Sequence, residues 1–318
     1  MYEGLKQVHS IVTGAAGFLG AALCRELLEQ GGRVTAVVRP DSPNKKKLME
    51  LLQESGEYQK RCEVLEVGLD SLEDLWKVHH IHADVFYHLA WNGSSGAARD
   101  DFDIQYTNIG YMAGAVRAAK ACGCRKIIGA GSQAEYGVVS QKAKEDETVP
   151  QPFMMYGAAK AAACQMGRVL AGQLGIAFVW PRIYSVYGVG ENPGTLVNYV
   201  IDSLRAGKVP ELTPCENMWN FMYVTDCVKA LVVLGESDSC EGIYHVASKD
   251  TRQLRSFVED IRDAAAAGAE LGFGKKEAQA GRTFWLEPDV EKLDETGFAC
   301  EVSFEEGIRR KIKNKNQE

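Results

Sequence analysis

The chain lacks any run of about twenty apolar residues, so a membrane-spanning helix is not expected. It also lacks a cationic excess. Its 36 Lys and Arg stand against 43 Asp and Glu, for a formal charge of −7. That balance gives no general attraction for nucleic acid or an anionic membrane. Cysteines at metal or redox spacing are missing too. The nine cysteines stand at 24, 62, 122, 124, 164, 215, 227, 240 and 300, and the one close pair, Cys122 and Cys124, has a single residue between its members. This is neither a thioredoxin-like pair nor a zinc knuckle, and scattered thiols fit a reducing, cytoplasmic setting. His79, His80 and His82 adjoin no cysteine or carboxylate at zinc-site spacing, and read as a solvated turn. The first residues run straight into a strand and a Gly-rich turn, unlike a signal peptide.

What is present is a regular alternation. Strands are expected at 8–13, 33–38, 62–67, 84–90, 125–130 and 175–180, the last ending before Pro181. Between them fall helical patterns at 18–30, 44–54, 71–78, about 103–120 and 156–173. Strands separated by helices predict an α/β fold, a doubly wound, mostly parallel sheet. After Pro181 the rhythm is irregular. Helices are expected near 196–206, at 226–234 with Asp226 as a possible cap, at 252–267, 289–296 and 303–313, and strands at 221–224 and 242–247. Residues 1–180 are read as mainly a dinucleotide-binding unit. Residues 181–318 are read as mainly a smaller, interleaved substrate lobe, with segments around 221–250 returning to the larger unit.

The first strand leads into TGAAGFLG, with Gly14, Gly17 and Gly20 opening a helix. In a turn of this kind Gly14 permits the sharp bend, Gly17 lets backbone amides approach a diphosphate at the helix N-terminus, and Gly20 allows close packing of helix on strand. Ala16, Phe18 and Leu19 belong to the same turn. Strand, turn, helix and second strand in order predict a Rossmann-like dinucleotide site. Strand two ends in VVRP, so Arg39 stands where an acidic residue would select NAD by accepting from a ribose 2′-hydroxyl. Arg39 offers donors to a 2′-phosphate instead, which favours NADP and leaves NAD possible. Lys45, Lys46 and Lys47 could add to that field or form a solvated helix face.

YGAAK places Tyr156 and Lys160 four residues apart, on one face of a long helix. A lysine beside a tyrosine favours the phenolate. Ser132 follows the fifth strand, at the carboxyl edge where ligands of such sheets bind. Ser132, Tyr156 and Lys160 therefore read as a catalytic set. It suits hydride transfer to or from an oxygen-bearing carbon, with Tyr156 handling the proton. Trp91 and Asn92 at the edge of strand four, and Tyr184 after strand six, are candidates to face the substrate.

These motifs together resemble an extended short-chain dehydrogenase/reductase of the nucleotide-sugar epimerase/dehydratase group. TGAAGFLG resembles its dinucleotide turn. HLA at 88–90 resembles its fourth-strand segment, placing Leu89 and Ala90 by the cofactor. Asn108 in YTNIGYMAGAVRAA resembles the asparagine opening the following helix. SQAEYG at 132–137 with YGAAK resembles its Ser/Tyr/Lys triad, and PRIYSVYG at 181–188, NFMYVTD at 220–226 and the ETGFACEVSFEEGIRR tail resemble later landmarks. The resemblance covers nearly the whole chain. It implies that Asn108 and Pro181 lie at the cofactor, that the substrate is a nucleotide-activated sugar, and that the helices at 105–120 and 156–173, rich in Ala and Gly, pair with their copies in a homodimer.

Departures from the family pattern narrow the reaction. Dehydratases of the group carry an acidic pair directly after the catalytic hydroxyl residue. Here Gln133 and Ala134 occupy those positions, with Glu135 displaced by one. Gln133 can only bond to substrate, and 4,6-dehydration is disfavoured. An arginine expected before FMYVTD is Trp219, which could stack on a base but not pair with phosphate, and Arg282 resembles a second family arginine that could meet the diphosphate. The leading expectation is NADPH-dependent reduction of a 4-keto-6-deoxyhexose carried on a nucleotide. The alternative is an NAD-dependent nucleotide-sugar 4-epimerase. A reductase of non-sugar carbonyls and a non-catalytic dinucleotide-binding protein on the same fold are further readings.

Overall fold

A computed structural model of the chain describes residues 7–277 and 285–315, so Arg282 lies outside the described residues. The first half supplies β1 (His9–Thr13), α1 (Phe18–Glu29), β2 (Arg33–Val38), α2 (Lys45–Gln53), α3 (Gly56–Arg61), β3 (Cys62–Glu66), α4 (Asp74–Lys77), β4 (Val85–His88), α5 (Phe102–Ala121), β5 (Lys126–Gly129), β6 (Gly131–Ser132), α6 (Met155–Leu174) and β7 (Ala177–Ile183). The second supplies β8 (Ser185–Tyr187), α7 (Leu196–Arg205), β9 (Met218–Tyr223), α8 (Val224–Glu236), β10 (Gly242–Val246), β11 (Thr251–Gln253), α9 (Leu254–Ala266), α10 (Glu291–Asp294) and α11 (Phe304–Lys315).

The large sheet runs β3-β2-β1-β4-β5-β7-β10, with β6 pairing β7 beyond the end of β5. All its ladders are parallel. Successive strand residues serve opposite faces. Val12, Val85, Ile128 and Val179 join Leu23, Leu27 and Leu48 from α1 and α2 and Leu231 from α8. Ile11, Phe86, Ile127 and Phe178 join Met112, Val116 and Ala163 from α5 and α6 on the other side. With both faces covered, the middle of each strand is mostly apolar on both sides, which is why the strands read as short apolar runs, with polar residues such as Ser10, Thr35 and Lys126 among them.

Strand order reverses beside β1: β2 and β3 lie on one side and β4 on the other. Connections leave in opposite directions there and open a cleft at the strands' carboxyl ends. A second sheet, β11-β9-β8, forms the smaller lobe with α7, α9 and α11. Its core is aromatic, with Phe257 and Phe304 ring centroids 4.7 Å apart and Tyr187 and Phe221 packed beside them. β10 belongs to the large sheet and β9 to the small one. Among the described residues no helix is long and apolar enough to cross a membrane.

Three local expectations change. β7 does not stop before Pro181 but continues to Ile183. Its register places Pro181 opposite Ala130, in the break between β5 and β6, where the missing N–H disrupts no continuous ladder. α3 is an additional helix, started by the Ser55 hydroxyl accepting from Glu57 N. Asp226 does not cap α8, because Tyr223 holds that position. Its Oδ2 accepts from Glu301 N at 3.2 Å and Val302 N at 3.0 Å, pinning the chain before α11 onto the first turn of α8.

Candidate active site

The cleft at the reversal point has a volume of about 720 Å³, within the usual size of a small-molecule site. The Gly-rich turn forms its floor. Gly14 has φ +71°, and a Cβ there would stand 2.9 Å from Ala90 N. A Cβ on Gly20 would stand 2.1 Å from the Gly14 carbonyl oxygen. No larger residue fits at either position without moving backbone. Gly17 begins α1 with no side-chain cap and no acidic residue in the first turn, so the first amides of the helix are left for an anion. Ala16, Phe18 and Leu19 line the same floor, and Leu89 and Ala90 its facing wall. Thr13 ties the two strand ends together: its hydroxyl bonds His88 Nδ1 at 2.9 Å and accepts from Ala90 N at 3.3 Å. This arrangement fits the diphosphate of a dinucleotide.

Arg39 is exposed at the far end of the cleft beside Ser42 and Asn44. Lys45 is ion-paired with Glu66, and Lys46 lies 3.7 Å from Glu50. These lysines serve the helix surface and leave Arg39 as the cation at the cleft's edge.

Ser132, Tyr156 and Lys160 all line the opposite end. Ser132 begins a short turn, Gln133–Tyr136, and its hydroxyl accepts from Ala134 N at 3.2 Å. Its own N–H donates to Glu135 Oε1 at 2.8 Å, closing a capping box that fixes the serine. Lys160 Nζ donates to Ala130 O at 2.6 Å and lies 3.6 Å from the Trp91 ring centroid. Trp91 in turn meets the Tyr156 ring edge-on at 6.1 Å, and its Nε1 donates to Gln105 Oε1 at 2.9 Å. Burial pulls Lys160 down to about 7, against the opposing charge of Glu135. Burial raises Tyr156, while the Arg99 guanidinium and the Ser132 hydroxyl pull it down. Lys160 was expected to be the cation favouring the Tyr156 phenolate; the nearer charge is Arg99.

Asn92 and Tyr184 line the cleft as expected. Four expected contacts are not on its wall. Asn108 is buried in the second turn of α5, not at its opening, accepting from Asn92 N at 2.9 Å and donating to Asn92 O at 3.0 Å. It shapes the segment that carries Asn92. Pro181 lies within β7, beneath the site. Gln133 is half-buried on the turn after Ser132. Trp219 packs against Phe221, at 6.2 Å between centroids, at the margin of the smaller lobe's core.

Glu135 does not face the cleft at all. Fully buried, it accepts from Ser132 N, from Trp180 Nε1 at 2.8 Å and from Arg182 Nε at 2.8 Å. Sequence reasoning left its direction open because its partners come from β7, some 45 residues away. It passed over Arg99 for the same reason. Tyr111, inside YTNIGYMAGAVRAA but given no role there, and Asn192 also line the cleft.

The profile of the NAD dependent epimerase/dehydratase family matches residues 10–247. The chain belongs to this family. Among curated members, a dTDP-4-dehydro-6-deoxyglucose reductase of Escherichia coli is 23% identical over 315 residues, covering 96% of each chain. A Bacillus subtilis protein described as an uncharacterized UDP-glucose epimerase is 25% identical over 313 residues, covering 95% of this chain and 96% of its own. Among solved folds, the UDP-N-acetylglucosamine 4-epimerase of Methanobrevibacter ruminantium, in complex with UDP-N-acetylmuramic acid, superposes with a TM-score of 0.85 at 22% identity, over 99% of this chain and 100% of that one. A UDP-glucuronic acid 4-epimerase from Bacillus cereus, holding UDP-glucuronic acid and NAD, gives 0.83 at 22% identity, over 97% and 99%. The family member described here is thus an NAD(P)-dependent enzyme of the epimerase and reductase type, with an extended short-chain dehydrogenase/reductase fold.

Proposed function

We propose that this enzyme reduces a nucleotide-activated 4-keto-6-deoxyhexose with NADPH. One observation carries the reading: Ser132, Tyr156 and Lys160 meet at one end of a dinucleotide cleft while the acidic residue nearest them, Glu135, is turned into the protein. The site holds the groups for moving a proton to oxygen and lacks, on that turn, an acid aimed at the sugar for dehydration. The reductase from Escherichia coli supports the same substrate class. A nicotinamide dinucleotide, when bound, supplies the hydride. Ser132 would hold the ketone oxygen and Tyr156 would give it a proton, leaving a phenolate that recovers its proton from solvent. Lys160, anchored on Ala130 O and Trp91, would meet the adjoining ribose hydroxyls. The test is conversion of a panel of sugar nucleotides with cofactor, products resolved by NMR. A reduced 6-deoxyhexose with matching cofactor oxidation supports the proposal. Interconversion of two 4-hydroxy sugars without net cofactor consumption supports instead the 4-epimerase reading, favoured by the epimerase folds above.

The preference for NADP rests on Arg39, a cation at the cleft's edge at the end of β2. Arg39→Ala is expected to weaken NADP binding by about tenfold or more, the range of one charge-assisted hydrogen bond, and to leave NAD nearly unchanged. Calorimetric titration of both cofactors decides it, and equal, unaltered affinities would contradict the assignment.

The protein is also proposed to be a homodimer through α5 and α6. The small residues Ala115, Ala118, Ala119, Ala163 and Ala171 are buried within the chain. Gly110, Ala158 and Gly172 are exposed, and so are large apolar side chains: Phe102 (59% exposed), Tyr106 (64%), Met166 (58%) and Val169 (59%), a pattern typical of an association surface. Sedimentation equilibrium should give twice the 34.9 kDa chain mass. A monomer persisting at micromolar concentration would contradict it.

A further inference from the structure

Arg99 lies on the short 3-10 turn Gly96–Asp100, between β4 and α5. The central carbon of its guanidinium is 4.3 Å from the centroid of the Tyr156 ring. Its polar contacts are few. Nη2 has Met154 Sδ at 3.5 Å, a weak acceptor, and Nε is buried without a hydrogen-bond partner. Among the described residues no carboxylate pairs with it. An arginine placed this way shares its charge with no carboxylate.

The groups facing Tyr156 come from three directions. Arg99 approaches from the β4–α5 segment and Ser132 from the turn after β6, with the buried Glu135 charge behind it, and Lys160 lies on α6 itself. Trp91 adds an uncharged edge. Lys160 Nζ is 5.7 Å from the Tyr156 centroid, farther than Arg99, and is committed to Ala130 O and to the Trp91 face. Proton transfer from Tyr156 leaves a negative charge on its ring and oxygen, so the cation stacked on that ring gains attraction as the reaction proceeds.

We propose that Arg99 is a positioning residue for Tyr156, a permanent cation that stabilises the phenolate left by proton transfer and holds the ring between itself and Trp91. Its consequence for turnover rests on the reductase reading, whereas its action on Tyr156 does not. The two are tested separately.

The first test needs no substrate. Wild type, Arg99→Met and Arg99→Lys are prepared with 13C at the tyrosine ζ position, the Tyr156 signal being assigned by its loss in Tyr156→Phe. Removing an opposite charge disfavours the ionised form, so Tyr156 in Arg99→Met should ionise at higher pH by about one unit, a roughly tenfold smaller ionised fraction at fixed pH. Arg99→Lys keeps the charge without the flat stack and should fall between. Arg99→Met ionising together with wild type would overturn the proposal. The second test is the pH profile of sugar reduction. Tyr156 must be protonated to act as an acid, so rate is lost as pH rises through its ionisation. In Arg99→Met that alkaline limb should move upward by the same interval while the plateau falls. A lower plateau with an unmoved limb would show a merely structural role and would also overturn it. If wild type reduces no sugar nucleotide, the reductase reading fails, and the NMR titration still decides the role of Arg99.

Discussion

Tyr156→Phe is expected to slow hydride transfer by about 100-fold or more, at least about 2.7 kcal/mol of added barrier. The change removes one oxygen from the cleft and little else. The ring keeps its edge-on contact with Trp91 at 6.1 Å and its stack with Arg99 at 4.3 Å. Lys160 keeps its bond to Ala130 O. The cofactor floor, made by Gly14, Gly17 and Gly20, is built from other segments. Cofactor affinity should therefore change much less than the rate. Stopped-flow measurement of the hydride step, with cofactor binding measured separately, distinguishes the two. A variant that transfers hydride at the wild-type rate would remove Tyr156 from the role of acid. A parallel loss of cofactor binding would mean that the hydroxyl serves binding instead.

The second large effect is expected behind the site, on stability. Glu135→Ala leaves the Arg182 guanidinium buried without its counter-charge, in a pair whose side chains are 2% and 0% exposed. It also strips the acceptor from Ser132 N and Trp180 Nε1. Removing one member of a buried ion pair costs about 3–5 kcal/mol, a large share of the roughly 5–15 kcal/mol that holds a typical domain together. Urea denaturation should show that loss, and a loss below about 1 kcal/mol would contradict the account of the pair. Glu135→Gln retains an oxygen for Ser132 N but not the charge, and should fall between. Because Glu135 also fixes Ser132 through the capping box, the folded fraction of either variant should turn over its substrate more slowly than wild type.

Much of this was legible because it is local. The order of β1 to β5 and the helices between them, α3 excepted, followed from short apolar runs bounded by turns. The cofactor floor followed from glycine spacing that only a close backbone approach requires. The pairing of Tyr156 with Lys160 followed from helix geometry. What the sequence obscured depends on distant partners. Pro181 reads as the end of a strand, yet β7 passes through it because the neighbouring strand is broken at Ala130. Asp226 has the residue type of a cap and instead holds Glu301 and Val302. Asn108 has the look of a ligand contact and is spent on the backbone of Asn92. Arg99, whose charge acts most strongly on Tyr156, belongs to no spacing pattern and is placed by the fold. Glu135 stands at capping-box spacing from Ser132, but its other partners, Trp180 and Arg182, come from β7. The small residues of α5 and α6 divide between two surfaces, Ala115, Ala119 and Ala163 buried in the core and Gly110, Ala158 and Gly172 exposed, and period alone does not say which of them meet the sheet.

The most direct test of the central claim follows the hydride itself. The enzyme is given reduced cofactor carrying deuterium at both positions of nicotinamide C4, together with a nucleotide-linked 4-keto-6-deoxyhexose, and the sugar product is analysed by mass spectrometry and NMR. The account predicts one deuterium at the sugar C4, in step with cofactor oxidation, and loss of that product in Tyr156→Phe. A sugar product without deuterium, or none at all from an enzyme shown to bind cofactor, would contradict it.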